Sequence, residues 1–597
     1  MKRVTILAAL AAALAASFAA TPADAAVSSA SIDGPTATLN LDGADDNVTV
    51  SVSGGLLVHG QASGGLNSGS DWDSATPGDQ TVPADGTFTV VINGGDGNDS
   101  LTVLAKSTEI AGATLNGDGG DDVLTGADTN DGLNGGDGND RLVGAKGTDL
   151  MHGDGGNDTL VWNNGDGSDR MVGDAGNDGV EVNGSPTLGD VNTLDPEPGG
   201  VKFRRTNLVP FTLDTATERF QVNGLGGNDS VSASDGVGAL TLLSVDGGAG
   251  DDTISGSDGP DLLLGGEGND VIGGRGGDDR IVGDRGTDTM NGGAGDDTLV
   301  WNNGDNTDVI NGDAGRDDVE VNGAPAAGDV FTTQPNGARI KFDRPNLVPF
   351  SLDIGTSETM HANGLGGDDA ITVGEVGSFS VTASGGPGND RLTGGRSPET
   401  FLGGSGNDTI TPGGGIDIVS ADDGDDQVNI RDRTADLARG GAGNDSVVAD
   451  VGQLDVIDGF EVVDRTPNVT PPPVGVKSTQ PVIIKGGPVK VNKGVASIKV
   501  SSPAGASGHS TGSLTVRTAK AVRLAGLKVT LQLGSARYNI APGASKTVKV
   551  KLAKGSRRLA ARNGRLKAIA VASTGPAGRV AQSSKRLTLA LGTASNR

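Results

Sequence analysis

The chain has 597 residues, of which 102 are glycine, 3 % are aromatic and none is cysteine, and its formal net charge is −30. This composition excludes a single large globule filled by aromatic packing, and it leaves no disulfide or thiolate metal site to staple the chain. Residues 466–597 hold 23 of the 46 Lys and Arg and none of the 76 Asp and Glu. The acidic part before them repels itself unless cations are bound, so cations and not nucleic acid are its expected partners.

Lys2 and Arg3, an apolar run from Val4 to about Ala20, and the small-residue site Ala23-Asp24-Ala25 predict a secretory signal peptide over residues 1–25. The mature chain is therefore expected to be secreted and extracellular, and no later segment is long and apolar enough to span a bilayer. Residues 26–111 are β-patterned and are expected to cap a repeat array, as the terminal unit of a solenoid must.

From there the octet G-G-x-G-x-D-x-(aliphatic) recurs, beginning at Gly94, Gly135, Gly247, Gly265, Gly292, Gly385, Gly403 and Gly440. A first array (112–184) places Asp122, Asp131, Asp140, Asp149 and Asp158 at intervals of nine, then Asp169 and Asp178 after the insertion Trp162-Asn163. A second (247–323) places Asp252, Asp261, Asp270, Asp279, Asp288 and Asp297, then Asp308 and Asp317 after Trp301-Asn302. A third, degenerate array (385–465) carries Asp390, Asp408, Asp417, Asp426 and Asp445.

Glycines at positions one, two and four supply positive φ and close backbone approach, so the first six residues of a unit predict a turn and not a strand. The last three, with one inward aliphatic side chain, suit a very short strand. Two units per coil, stacked coil on coil, would bury a column of Leu124, Leu142 and Leu160 and pair the strands in parallel. Stacking also sets Asp over Asp at about 4.8 Å, where like charges repel by about 1 kcal/mol even in water. The column needs a cation, and carboxylates with backbone carbonyls are hard donors that suit Ca²⁺ better than zinc or copper. His59, His152, His361 and His509 show no ligand spacing and are expected at the surface.

Strand-rich spacers (185–246 and 324–384) separate the arrays. TLVWNNGDGSDRMVGDAGNDGVEVNG from Thr159 and KFRRTNLVPFTLD from Lys202 recur 139 residues later, from Thr298 and Lys341, so array and spacer form a duplicated module. Trp162 and Trp301 occupy equivalent places, where packing over a roll edge is expected in preference to stacking on a ligand.

Pro467 and Pro471-Pro472-Pro473 mark a stiff linker (466–476). Beyond it, residues 477–597 show period-two segments that predict a small antiparallel, immunoglobulin-like β-sandwich, with one helical turn at Arg557. The pattern resembles basic domains that close many secreted actinobacterial proteins. Its charge would suit acidic cell-surface polymers, although a merely solvated basic face is the simpler reading. Nucleic acid is not expected, because Tyr538 is its only aromatic. Gly508-His509-Ser510-Thr511-Gly512 matches the esterase elbow, yet no Asp, Glu or His follows Ser510, so no triad can form. About 70 residues between leader and first repeat are too few for a hydrolase domain of usual size, and no enzyme is expected.

The tandem nonapeptide GGxGxDxUx is similar to the repeat of the RTX, or haemolysin-type calcium-binding, family over roughly Gly94 to Val448. The resemblance implies a parallel β-roll in which consecutive turns on one side share Ca²⁺ through the position-six aspartates and glycine-turn carbonyls. The twenty array aspartates named above, Asp122 to Asp445, are the implied ligands. The unit from Gly126 lacks its middle glycine, and the unit from Gly394 has Glu399 in place of aspartate. Units at Asp99, Asp229 and Asp369 have no tandem neighbour and read as turns that need not hold metal. The expectation as a whole is an all-β chain, a parallel β-roll solenoid followed by the sandwich, binding multiple calcium ions, with folding coupled to Ca²⁺ and a structural, adhesive or matrix role. The alternatives are a polyanion or cell-wall binder acting through residues 477–597, or an enzyme with a site in the spacers (185–224 and 324–364).

Overall fold

The computed structural model describes residues 27–60, 66–377, 379–451 and 455–466, and, of the basic tail, 483–484, 487–492, 495–502, 510–518, 522–524, 527–529, 532–541, 544–552, 565–574 and 581–591. The expected signal peptide, the proline linker from Pro467 onward, His509 and the Arg557 turn lie outside the described residues. Among the described residues every regular element is a strand. The chain divides into two compact units, Met1–Asp318 and Val319–Arg597.

The first unit opens with two antiparallel hairpins, Ser29–Asp33 with Thr36–Asn40 and Asn47–Ser53 with Leu56–His59. Thr89–Asp96 and Ser100–Val103 then pair in parallel with one strand of each hairpin. Two parallel sheets grow from this start, and the chain alternates between them. Gly112–Gly119, Gly132–Asp137 and Leu150–Gly156 build one. Val123–Thr125, Arg141–Val143 and Thr159–Asn163 build the other. Each coil therefore takes two nonapeptides, as the sequence predicts. The register stacks Leu115, Leu133 and Met151 on one sheet and Leu124, Leu142 and Leu160 on the other. All six are fully buried, and burying such a side chain stabilises by roughly 1.5–3 kcal/mol.

The glycine turns are more regular than expected. Strand pairing runs into them, with Gly136 opposite both Asp118 and Asp154. The physical reason is close approach: Gly138 has φ +147°, and a Cβ there would lie 1.9 Å from the carbonyl oxygen of Gly120. Coils can thus pair through their turns only where side chains are missing.

The spacer stays inside this architecture. Val191–Glu197, Gly200–Arg205 and Phe211–Ala216 form an antiparallel meander. Its last strand pairs in parallel with Arg170–Val172, and its first with Ser230–Ala233. On the other sheet Gly179–Asn183 pairs directly with Arg219–Asn223, so the meander is an elaboration of one coil. The second array then climbs in the same way, with Leu263 over Ile281 and Ile272 over Met290.

The second unit repeats the plan. Val330–Asn336, Arg339–Arg344 and Phe350–Gly355 form the equivalent meander, and parallel strands continue to Val456–Asp458 and Val462–Asp464. In the basic region, seven strands pair side by side and Ser545–Lys551 joins at Val495–Ser501; a separate pair, Val522–Leu524 with Leu527–Val529, stands apart. A second sheet of the expected sandwich is represented among the described residues only by that pair. Ile498, Val500, Leu514, Val516, Val548 and Val550 belong to its buried core.

Trp162 and Trp301 are buried, with Nε1 donating to the carbonyls of Gly167 (2.8 Å) and Asn306 (2.9 Å). They are packing residues. His59 departs from its expected surface position: it is buried, bonds through Nε2 to the Asp71 carbonyl (2.8 Å) and packs edge-on to Trp72. Trp72, from the segment that follows the hairpin, shelters it. His152 is partly exposed and pairs with Asp174 at 2.8 Å.

Candidate metal centre

The position-six acids do stack, but not as bare charges. The amide of Asp122 donates to Oδ1 of Asp140 (2.8 Å), Asp140 to Asp158 (2.9 Å) and Asp158 to Asp178 (2.8 Å). On the opposite face Asp131 donates to Asp149 and Asp149 to Asp169, both at 2.8 Å. The second array forms the same ladders, through Asp252, Asp270, Asp288 and Asp308 on one face and Asp261, Asp279, Asp297 and Asp317 on the other. In the second unit they run through Asp390, Asp408, Asp426 and Asp445 and through Glu399 and Asp417. One carboxylate oxygen of each accepting aspartate is thereby held by a charge-assisted backbone bond.

The other oxygen is left over. Oδ2 of Asp122, Asp140, Asp149, Asp158 and Asp178, of Asp252, Asp270, Asp279, Asp288, Asp297 and Asp308, and of Asp390, Asp408, Asp417, Asp426 and Asp445 is buried without a hydrogen-bond partner. Where glycine stands five residues before the acid, its missing side chain leaves room for this oxygen. A Cβ on Gly117 would meet Asp122 Oδ2 at 2.2 Å and the Gly135 carbonyl oxygen of the next coil at 2.3 Å. On Gly265 it would meet Asp270 Oδ2 and the Gly283 oxygen, both at 2.5 Å; on Gly403, Asp408 Oδ2 at 2.3 Å and the Ala421 oxygen at 2.4 Å. Glycine at these positions leaves room where two oxygens from adjacent coils converge.

Burial is the main reason these acids titrate high: Asp122, Asp158, Asp288 and Asp408 are pushed up to about 7, Asp279 and Asp308 to about 8 and Asp149 to about 9. The amide bond opposes the shift and neighbouring carboxylates add to it. An orphaned buried carboxylate oxygen beside a carbonyl, with no nitrogen or sulfur donor at hand, is a donor set for a hard cation such as Ca²⁺. The residues present fit that ion.

Three implied ligands, Asp131, Asp169 and Asp261, are not among these orphans. Both oxygens of Asp131 are taken, by the Ala127 amide (2.6 Å), the Thr129 hydroxyl (2.5 Å) and the Ala113 amide (2.6 Å). Ser257 likewise donates its amide (2.6 Å) and hydroxyl (2.8 Å) to Asp261. In both units the position-two amide, of Ala127 or Ser257, closes on the acid. Conversely, the solitary Asp99, Asp229 and Asp369 do have neighbours, in space if not in tandem: their amides donate to Asp122, Asp252 and Asp390, and their Oδ2 atoms are orphaned too.

Other column members escaped the period of nine. Asp190 and Asp329 continue the ladders to Asp229 and Asp369, but each follows its glycine by six residues instead of five. Asp436 accepts the Asp417 amide at 3.0 Å from a unit without glycine. The position-five residue is also structural: the Asn139 amide donates to Asp121 Oδ1 and the Asn157 amide to Asn139 Oδ1, running opposite to the Asp ladder. The recurring Asn-Asp and Asp-Asp doublets were its visible signal.

Asp190 shows what satisfies the column when no metal can. Arg205, 3 % exposed, reaches Asp190 at 3.2 Å, donates to Asn164 Oδ1 (2.8 Å) and the Val209 carbonyl, and lies against Phe211, which stacks on Trp162 at 3.7 Å. Arg344 meets Asp329 at 3.1 Å over Phe350 in the same way. At each module boundary a guanidinium is the resident cation.

The class this fold and site define is a parallel β-solenoid whose coils present oxygen donors to cations between successive turns. The family model for the RTX calcium-binding nonapeptide repeat matches residues 86–103, 113–142, 125–160, 246–281, 273–308, 382–410, 402–429 and 432–453. Over these residues the chain carries RTX-type calcium-binding nonapeptide repeats. No curated protein matches it.

Proposed function

We propose that the protein is a secreted, non-enzymatic solenoid that holds several calcium ions per chain, folds as they bind, and serves as a structural, adhesive or matrix element outside the cell. The observation that carries this reading is the series of orphaned Oδ2 atoms facing glycine cradles in coil after coil. Calcium would supply the positive charge that lets these acids stay ionised while buried. Asp131 and Asp261 would act as structural acids, and Asp99, Asp229 and Asp369 would join the ligands. Outside a cell, sites with dissociation constants on the order of 10⁻⁴ to 10⁻³ M are sufficient. Equilibrium dialysis of the full chain at low-millimolar Ca²⁺ should return many ions per chain; one or none would overturn the proposal.

A second reading concerns the tail. On Val495–Ser501 and its antiparallel partner Ser545–Lys551, buried Ile498, Val500, Val548 and Val550 alternate with exposed Lys499, Lys549 and Lys551. This lysine-bearing face supports binding to acidic cell-surface polymers. Retention on immobilised polygalacturonate should be salt-sensitive and lost when residues 477–597 are removed; retention by residues 27–465 alone would refute it.

A further inference from the structure

We infer that the degenerate third array contains a cation site of a different kind, formed by the carboxylates of Asp417, Asp432 and Asp436 and suited to a hard divalent ion, Ca²⁺ first. One oxygen from each of the three lies within 4.8 Å of the others. Asp417 and Asp436 are 0 % and 2 % exposed. Their Oδ1 atoms accept the amides of Glu399 (2.9 Å) and Asp417 (3.0 Å), and the Oδ2 atom of each is buried with no partner. Asp432 is half-buried and is held by the Thr434 amide (2.7 Å) and hydroxyl (2.6 Å).

The site arises from an irregularity that reads as decay. The unit from Arg431 to Arg439 has no glycine, and one extra residue precedes its acid, so Asp436 follows Asp417 by 19 residues instead of 18. The extra residue, Ile430, ends the preceding strand Gln427–Ile430, and the turn that follows passes through Arg433 at φ +85°. That turn gives the coil a third carboxylate where regular coils offer backbone carbonyls. Among the described residues no side-chain cation neutralises it: none of the three carboxylates is in an ion pair, Arg431 turns instead to the Ala449 carbonyl and Asp464, and Arg396 pairs with Glu375. Three buried or half-buried carboxylates without nitrogen or sulfur donors select a hard ion. Affinity rises with ligand charge, so this site, built on two column acids and Asp432, fills before the other sites of the columns.

The inference borrows only the identity of the ion from the proposed function, and it is tested locally. Ile416 is 67 % exposed beside Asp417, so Ile416→Trp in the full chain supplies an antenna for Tb³⁺ luminescence. Emission above that of the parent protein should saturate with the first equivalent of Tb³⁺. Adding Asp432→Asn, which keeps an acceptor for the Thr434 amide, should raise the half-saturating concentration about tenfold or more, while Thr434→Val should not. Ca²⁺ should displace the probe at lower concentration than Mg²⁺. Emission that follows the bulk ions, indifference to Asp432→Asn, or equal displacement by Mg²⁺ would each overturn the assignment. Far-UV circular dichroism of the same samples reads the regular coils separately, so a failed calcium-folding transition would count against the proposed function and not against this site.

Discussion

Each position-six aspartate has two duties carried by different oxygens, and a single atom swap separates them. Asp140→Asn keeps an oxygen for the Asp122 amide but removes the charge of the orphaned Oδ2. The metal-free roll should gain stability and calcium affinity should fall, so the calcium midpoint in circular dichroism rises while the urea midpoint in chelator also rises. Parallel loss of both would mean that the carboxylate is only structural. The pH dependence follows the same logic. Asp122, Asp158 and Asp408 titrate at about 7 in the fold, against 3.8 for the free acid. A raised value means that the folded state holds more protons, so the contribution to metal-free stability is complete below 3.8 and is lost as pH climbs through about 7. In chelator, acidifying from about pH 8 to pH 5 should recover β-signal; simple acid unfolding would contradict the burial argument. Glycines divide just as sharply. Gly138→Ala places Cβ 1.9 Å from the Gly120 oxygen at φ +147°, whereas Gly273→Ala meets nothing within 4 Å. The first should cost more than about 1–3 kcal/mol, and the second should be close to neutral in a denaturant melt.

Among the elements, the meander decides where the calcium arrays stop. Leaving Asp190 without Arg205 strands a fully buried charge, so Arg205→Met should cost roughly 3–5 kcal/mol even in saturating calcium. Arg205→Met with Asp190→Asn should recover much of that, a coupling readable from urea midpoints. Independent losses that simply add would show that Arg205 acts through its packing on Phe211 alone. The arrays themselves are legible from spacing: a period of nine with two units per coil predicts the register of Leu124, Leu142 and Leu160. The meander is not. VKFRRTNLVPFTLD announces strands, but nothing local says that Phe211–Ala216 returns to Arg170–Val172 or that Arg205 ends beneath Trp162. Those are long-range pairings, and a pattern of alternating side chains carries no partner. Asp190, Asp329 and Asp436 were hidden for a simpler reason: one inserted residue shifts them off the period while the coil in space still closes.

For the molecule as a whole, the acidic and basic parts should answer differently to calcium. The first 465 residues stack carboxylates that are buried and titrate near neutrality, so at pH 7.5 without metal many coils must either take up protons or open. The tail holds no Asp or Glu among its 132 residues; its hydrophobic core of Ile498, Val500, Leu514 and Val548 owes nothing to a cation. Limited proteolysis in chelator should therefore degrade the repeats and leave a fragment of the basic region, and low-millimolar Ca²⁺ should protect the repeats without changing that fragment's lifetime. The concentration at which protection appears should match the dichroism midpoint, because binding and folding of the coils are one event. Protection of the tail in step with the repeats would mean that its core is completed only by the folded solenoid, and the two charge domains would then have to be treated as one cooperative unit.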